Sequence, residues 1–193
     1  ALMTKKEDIR RINEDLAARF RKMEEALLSA RTVAGLFEAL VDGIEREFAV
    51  PFVWFAFVDR PAADALTDAA VASEILKSRF SVVSEELLER MLPGGLHPVL
   101  SNQNLQPFYR LMPPCQKYFV RSIAVVPFAL DGRMIGAWNN GDADANRYSP
   151  DMDTALLASL ADKLSRRLTE LVAQKNAASA AEKSAEQPGG VHG

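Results

Sequence analysis

Two apolar runs in the second half of the sequence are separated by the dipeptide Asp131-Gly132. Aspartate followed by glycine suits the positive φ angles of a type I′ turn, so this pattern favours a β-hairpin with a two-residue loop. Counting back from the turn pairs Val125 with Trp138 and places both on one face of the sheet. Because Pro127 has no amide hydrogen to donate, we expect a bulge or one-sided pairing near it. The chain must therefore contain an antiparallel sheet.

Helical periodicity flanks this hairpin on both sides. Residues 4–30 carry apolar side chains at spacings of three and four, which predicts a long amphipathic helix. Thr32 predicts the N-cap of a second apolar helix, and Ser149-Pro150 predicts the start of a last, leucine-rich helix. The tail at residues 174–193 is polar and alanine-rich, and we expect it to be a fraying extension or a linker.

The order of these elements predicts the fold class. The run "FVWFAFV" at residues 52–58 is typical of a central strand, whereas the elements of residues 62–118 are uncertain. We predict an α+β fold, GAF- or PAS-like, with an antiparallel sheet flanked by helices and long helices at both ends. The predicted boundaries are an amphipathic helix at 1–31, one domain at 32–173 and a polar tail at 174–193.

Charge and hydropathy disfavour two kinds of partner. The formal net charge is -3 and basic residues are interleaved with acidic ones, so we expect no nucleic-acid partner. The longest nearly unbroken apolar run, from Phe48 to Val58, is too short to span a membrane, and the charged N-terminal segment is unlike a signal peptide. Cys115 is the single cysteine, so no intrachain disulfide can form. We expect a cytoplasmic protein without a membrane partner.

Residues that carry catalytic or metal chemistry are sparse. A metal site needs three or four convergent histidine, cysteine or carboxylate ligands, and the two histidines are His97 and His192. No glycine-rich loop with a following lysine is present to hold a phosphate. We therefore predict no metal, no cofactor and no enzyme activity. A cleft that held His97 or Cys115 within reach of a carboxylate would instead indicate an unrecognised enzyme.

Two segments resemble a GAF domain. Residues 32–59 look like its opening helix and first strand, and residues 122–168 look like its closing hairpin and helix. The chain is similar in particular to uncharacterised bacterial GAF-like families in which a charged helix precedes the domain. The resemblance implies a sensory domain that binds a small molecule in a pocket between sheet and loops, or that pairs with another copy through its terminal helices.

Three specialised GAF activities do not fit these residues. Cyclic-nucleotide-binding members carry an Asn-Lys pair, whereas Asn140 is followed by Gly141. Members that reduce methionine sulfoxide need several cysteines, and Cys115 stands alone. Bilin attachment uses a cysteine next to a histidine, and Cys115 lies in "PPCQKY".

Aromatic and polar residues of the predicted strands and loops are candidates for a ligand pocket. Both tryptophans lie on predicted central strands and would form an aromatic wall, or would simply fill the core. We expect a small, partly apolar ligand with an anionic group held by Arg121. The six candidate residues are Trp54, Tyr109, Tyr118, Arg121, Trp138 and Asn140.

The first helix also carries a candidate homodimer surface. Ile9, Leu16 and Met23 are seven residues apart, which permits a coiled-coil seam, although Arg19 at the intervening position weakens it. The stripe either pairs with a partner chain or docks onto its own domain. It consists of Ile9, Ile12, Leu16, Phe20, Met23 and Leu27.

These observations leave three functional hypotheses. The first is a regulatory domain that binds a small ligand and signals through its terminal helices to a separate output protein. The second is a dimerisation module with a filled core and no ligand. The third is an unrecognised enzyme.

Overall fold

A computed structural model describes residues 2–186 of the chain, with side chains described from Thr4 onward. The helices are α1 (Leu2–Ser29), α2 (Val33–Phe48), α3 (Asp64–Ala72), α4 (Glu85–Met91) and α5 (Ala155–Ala185). The strands are β1 (Phe52–Val58), β2 (Phe80–Val83), β3 (Val99–Ser101), β4 (Ser122–Leu130) and β5 (Arg133–Asp142). Short 3₁₀ turns follow β1 and β3.

The described strands form one five-stranded sheet in the order β2-β1-β5-β4-β3. The neighbours β1 and β5, β5 and β4, and β4 and β3 pair antiparallel, whereas β1 and β2 pair parallel. The parallel pair arises because α3 lies in the connection that returns the chain to the same end of the sheet. The predicted α+β fold, with helices flanking a mostly antiparallel sheet, is confirmed.

The turn between β4 and β5 has the predicted geometry. Asp131 and Gly132 have φ angles of 52° and 77°, as a type I′ turn requires. Leu130 pairs with Arg133 directly beside the turn. Glycine and aspartate tolerate these left-handed angles better than other residues, which explains why the sequence signal was reliable here.

The predicted register further along the hairpin is wrong by one residue. Val125 pairs with Asn139. Ala129 pairs with Met134, but the next residue of β4, Phe128, pairs with Gly136, so one residue of β5 is left without a partner. That residue is Ile135. A bulge of this kind was expected near Pro127, but its position on β5 was not.

The bulge decides which side chains share a face of the sheet. We call the side covered by α1, α2, α3 and α5 the helix face, and the side covered by α4 and residues 102–121 the loop face. Trp138 packs in the helix-face core, whereas Trp54 packs in the loop-face core. The expectation that the two tryptophans form one aromatic wall is therefore wrong, since the sheet lies between them.

Local signals place two of the helices that cover the sheet. The Thr32 hydroxyl accepts a hydrogen bond from the Gly35 amide at 3.0 Å and begins α2, as predicted. The same role is filled at α4 by Ser84, whose hydroxyl accepts from the Leu87 amide at 3.2 Å. These caps fix where each helix begins and so which apolar side chains face the sheet.

The last helix begins later and ends later than the sequence predicted. Ser149 bonds to Asp151 in a separate turn, and this hydrogen bond lowers the pKa of the Asp151 carboxyl. The helix α5 starts only at Ala155, whose amide donates to Asp153 Oδ1 at 2.8 Å. Its alanine-rich end continues to Ala185 because alanine favours helix, and residues 187–193, with His192, lie outside the described part.

The two terminal helices pack side by side in the same direction. Glu24 of α1 forms an ion pair with Lys163 of α5, and further along both helices the Ala30 carbonyl accepts from Arg167 at 2.7 Å. Residues 4–16 of α1 and residues 173–186 of α5 are exposed. Because the helices are parallel, these exposed segments extend from opposite ends of the domain.

The predicted dimer stripe on α1 is divided by this packing. Phe20, Met23 and Leu27 are buried in the core of their own chain. The prediction that they form an intermolecular seam is therefore wrong. Ile9 and Ile12 remain 51% and 63% exposed. The docking alternative therefore applies to the second half of α1, and the dimer surface stays a prediction for the first half.

Candidate functional site

The structure does not bring the six predicted ligand residues together. Trp138 and Asn140 line one cavity on the helix face, and Trp54 lines another on the loop face. Tyr109 and Tyr118 meet edge to face with ring centroids 6.4 Å apart, and Tyr118 is 75% exposed. Arg121 is also exposed. Two of the six therefore belong to one site.

The helix-face cavity has a volume of about 310 Å³ and lies between β5 and the two terminal helices. Most of its wall is aliphatic or aromatic, which suits an apolar ligand body. The terminal helices contribute Leu16, Phe20, Met23, Leu156, Leu157 and Leu160. Each terminal helix thus contacts whatever occupies the cavity.

Two buried polar atoms of β5 lack hydrogen-bond partners beside this cavity. Trp138 is fully buried and Asn140 is 4% exposed, yet the indole Nε1 of Trp138 and the amide Oδ1 of Asn140 form no hydrogen bond with the protein. An unpaired buried polar atom costs about 1–3 kcal/mol. Both atoms are themselves inaccessible to solvent, and the Asn140 side chain also forms a hydrogen bond with the Tyr148 hydroxyl at the rim of the cavity.

Tyr148 and Arg147 form the polar rim of the cavity. Burial raises the pKa of the Tyr148 hydroxyl above its ordinary value, and the adjacent Arg147 guanidinium offsets part of that rise. Arg147 donates to the Phe48 carbonyl and lies 3.7 Å from the Asp142 carboxylate. Sequence reasoning missed both rim residues as site members, because they follow β5 in a polar loop that carries no local signal for burial.

The loop face holds a second group of unpaired polar atoms. Trp54 Nε1, Ser81 Oγ and both amide atoms of Asn139 are buried without a hydrogen-bond partner. A cavity of about 280 Å³ beside Trp54 and Ser81 is also lined by Leu111 and Met112. Asn139 is the cross-strand neighbour of Trp54 but does not line this cavity. This region is a comparison site for the helix-face cavity.

A larger groove of about 480 Å³ lies beside the hairpin turn and α5. Its hydroxyl groups already have partners, because Ser165 accepts from the Ala129 amide at 2.9 Å and Thr169 accepts from the Asp131 amide at 3.1 Å. The groove therefore offers a ligand no unpaired buried group.

The described residues provide few features of a catalytic, metal or membrane site. Between residues 4 and 186, no three histidine, cysteine, aspartate or glutamate side chains are grouped so that they could hold a metal ion. Cys115 and His97 are both exposed. In the same part of the chain, no helix has the length and apolarity needed to cross a bilayer.

The mixed five-stranded sheet, with terminal helices on one face and loops on the other, defines an α+β domain consistent with a GAF-like fold. The protein belongs to DUF484, a family described as "protein of unknown function", whose pattern matches residues 1–172. No curated protein sequence matches the chain.

One solved structure with a related fold is the X-ray structure of free methionine-R-sulfoxide reductase from Neisseria meningitidis in complex with its substrate. The TM-score is 0.53 at 17% sequence identity, and the likeness covers 81% of this chain and 89% of the reductase chain. At this identity the likeness shows the fold alone.

Proposed function

We propose that the protein is a non-catalytic regulatory module that binds a small molecule in the helix-face cavity and signals through α1 and α5. The observation that carries the proposal is a mostly apolar cavity of about 310 Å³ that is walled by both terminal helices and by Trp138 and Asn140 of β5. A ligand there would contact both of the helices through which we propose that the signal passes.

The coupling follows from the way in which α1 is held. Besides its buried apolar residues, α1 is tied to α5 by the Glu24 and Lys163 ion pair and by the bond from Arg167 to Ala30. Partly exposed polar contacts of this kind contribute little stability each. A ligand between Leu16, Phe20 and α5 would therefore bind the docked and undocked arrangements of α1 with different affinities. It would shift the equilibrium between them by that difference in binding free energy.

The non-catalytic part of the proposal rests on the cysteine content of the chain. Cys115 is the single cysteine, so it has no second thiol in the chain with which to form a disulfide. The fold likeness to a reductase therefore gives no support to a disulfide-based reductase activity, and the proposal leaves such an activity out. A separate output protein would receive the signal from the exposed ends of α1 and α5.

Filling the cavity tests the proposed site. The substitution Leu157→Trp places a larger side chain in the cavity from α5, and the matched control Val172→Trp lies four turns further along the same helix, outside the cavity. We expect native mass spectrometry of gently purified wild-type protein to show a retained small-molecule mass. The fraction of protein that carries this mass should be at least about tenfold lower for Leu157→Trp, because overpacking excludes the ligand. The fraction should be unchanged for Val172→Trp.

Two results would contradict this site. The first is a wild-type protein with no retained mass, provided that denaturation also releases none. The second is a mass that persists in Leu157→Trp but is lost in Trp54→Phe, which would move the ligand to the loop face. Urea unfolding of each variant separates a loss of binding from a loss of fold.

A second candidate function, a homodimerisation module, is favoured by the exposed half of α1. Ile9 and Ile12 are large, exposed apolar residues three positions apart on α1, and neither belongs to the buried core of the domain. An exposed apolar stripe of this kind is typical of helix pairing. Binding and pairing are compatible, since neither Ile9 nor Ile12 lines the cavity.

The double substitution Ile9→Asp/Ile12→Asp tests pairing through α1. Burial of two isoleucines contributes about 3–6 kcal/mol, so we expect the dimer dissociation constant to rise at least about 100-fold in sedimentation equilibrium. The control Val71→Asp/Ile75→Asp changes two residues of matched exposure, 62% and 47%, and should leave the dimer intact. A wild-type protein that sediments as a monomer at every concentration would remove this candidate.

A further inference from the structure

Three of the six predicted ligand residues belong to one segment of the loop face. The rings of Tyr109 and Tyr118 are 6.4 Å apart, and Arg121 follows Tyr118 by three positions. None of the three lines the helix-face cavity or the cavity beside Trp54. The sequence-based expectation that Arg121 holds an anionic group of a pocket ligand therefore fits neither cavity.

The segment that carries these residues is basic. Residues 91–130 contain no aspartate or glutamate, although the chain has 26 acidic residues in all. The mixture of acidic and basic residues found along the rest of the chain is therefore absent here. Three basic and no acidic residues give the segment a formal charge of +3, from Arg110, Lys117 and Arg121.

These three cations have no ion-pair partner within the described residues. Many basic residues elsewhere in the domain contact a carboxylate within 4.0 Å, but Arg110, Lys117 and Arg121 do not. Lys117 Nζ lies 5.0 Å from the centre of the Tyr118 ring, a cation–π contact that leaves its charge uncompensated. Each cation can therefore pair with an anion of another molecule.

Two adjacent aromatic side chains of the same segment are exposed. Tyr118 is 75% exposed and Phe119 is 64% exposed, more than any other large hydrophobic side chain between residues 4 and 186. Adjacent exposed apolar side chains that are bordered by polar residues mark interaction sites. Tyrosine, phenylalanine and arginine are also the residue types enriched in protein–protein interfaces.

We propose that this surface binds an acidic peptide segment of a partner protein, in which carboxylates are interspersed with apolar side chains. The carboxylates would pair with the three cations, and the apolar side chains would contact Tyr118 and Phe119. A surface of this size suits weak, transient binding. The surface, which we call the basic aromatic patch, consists of Tyr109, Arg110, Lys117, Tyr118, Phe119 and Arg121.

The surroundings of the patch favour a short segment over an extended polyanion. The helix α4 covers the same face of the sheet and carries the exposed residues Glu86 and Glu89. A flat anionic bilayer or a nucleic-acid duplex would approach these carboxylates as well as the patch, and like charges repel. A short peptide avoids them. The patch lies across the sheet from the helix-face cavity, so this proposal does not depend on a ligand there.

Two capped peptides test the chemistry of the partner. The acidic probe is Ser-Glu-Glu-Phe-Glu-Glu-Leu-Glu-Ser, and the neutral probe has glutamine in place of each glutamate. In titration calorimetry of the wild-type chain, we expect the acidic probe to bind at least about tenfold tighter than the neutral one. An increase in sodium chloride from about 0.05 to about 0.5 M should weaken the acidic probe at least about fivefold, because the patch is exposed.

Matched variants test the position of the site. Lys117→Gln/Arg121→Gln should weaken the acidic probe at least about tenfold, and Phe119→Ser should weaken it about fivefold. The control Lys5→Gln/Lys6→Gln removes two exposed basic residues of α1 and should leave the affinity within about twofold. Both double variants lower the net charge by the same amount, so a difference between them reports where the charges lie. Urea unfolding should give every variant the midpoint of the wild type.

Several outcomes would overturn the acidic peptide as partner. These are absence of binding by the acidic probe, equal affinity for both probes, and equal affinity of wild type and Lys117→Gln/Arg121→Gln. Tighter binding to phosphatidylglycerol vesicles, or to single-stranded DNA of about 20 nucleotides, would replace the peptide by a lipid surface or a nucleic acid. The helix-face cavity is tested separately by Leu157→Trp, so either proposal can fail alone.

Discussion

Replacing Phe37 by alanine is expected to lower the free energy of unfolding by about 3–5 kcal/mol, the largest effect of any single substitution considered for this fold. Phe37 of α2 is fully buried, and its ring lies 5.1, 5.6 and 5.5 Å from the rings of Phe55, Phe57 and Phe128. Truncation would leave a cavity among three aromatic rings that the sheet holds in place, and would also remove the edge contact with Phe55 and the tilted contacts with Phe57 and Phe128.

The control for Phe37→Ala is Phe119→Ala. Phe119 is 64% exposed, so its truncation should change the free energy of unfolding by less than about 0.5 kcal/mol. Urea unfolding followed by circular dichroism measures both variants. A loss below about 1 kcal/mol for Phe37→Ala would contradict the position of α2 against the centre of the sheet.

The substitution Gly136→Ala is expected to destabilise the protein by at least about 2 kcal/mol. A Cβ atom at Gly136 would lie 2.6 Å from the Ala56 carbonyl oxygen and 3.0 Å from Phe128 Cζ. The closer neighbour is backbone of β1, which is paired with β2 on one side and β5 on the other and cannot move without breaking this pairing. Gly136 also follows the bulge at Ile135. Strain here would therefore disturb the register that places Trp138 on the helix face and Asn139 on the loop face.

Gly94→Ala is the matched control for this glycine. A Cβ atom there would meet His97 at an ordinary contact distance of 3.5 Å, and no positive φ angle is required. We expect the free energy of unfolding to stay unchanged or to rise by up to about 1 kcal/mol, because alanine restricts the unfolded chain. Equal stability of Gly136→Ala and wild type in urea unfolding would contradict the close approach of β1 and β5.

The hairpin illustrates how far the sequence predicts this fold. Asp131-Gly132 specified the turn because few dipeptides tolerate two positive φ angles, and the pairing next to the turn followed from it. The position of the bulge was not predicted, since Pro127 pointed to β4 whereas the extra residue, Ile135, lies on β5. One extra residue then moved Trp138 to the face opposite the one on which Val125 lies.

The end of the chain shows a similar limit for helix starts. Ser149-Pro150 is a common helix start, yet Ser149 bonds to Asp151 and the helix begins at Ala155 instead. Local capping signals compete with one another, and tertiary packing selects among them. The leucine stripe of α5, which depends on burial against the sheet, was predicted correctly.

The candidate site was predictable only in part. Trp138 and Asn140 were identified from their strand, and the cavity unites them. Trp54 lies on the other face, and Arg121 is exposed. Tyr148 and Arg147 join the site through the loop that follows β5, and only the folded chain shows that this loop turns back over the cavity.

The most direct test of the central claim is a crystal structure of the gently purified protein, with attention to the electron density beside Trp138 and Asn140. We expect continuous density for a small molecule among the side chains of α1, α5 and β5 that line the helix-face cavity. A cavity that holds no density beyond ordered water would contradict the claim, because the two terminal helices would then have no ligand to respond to.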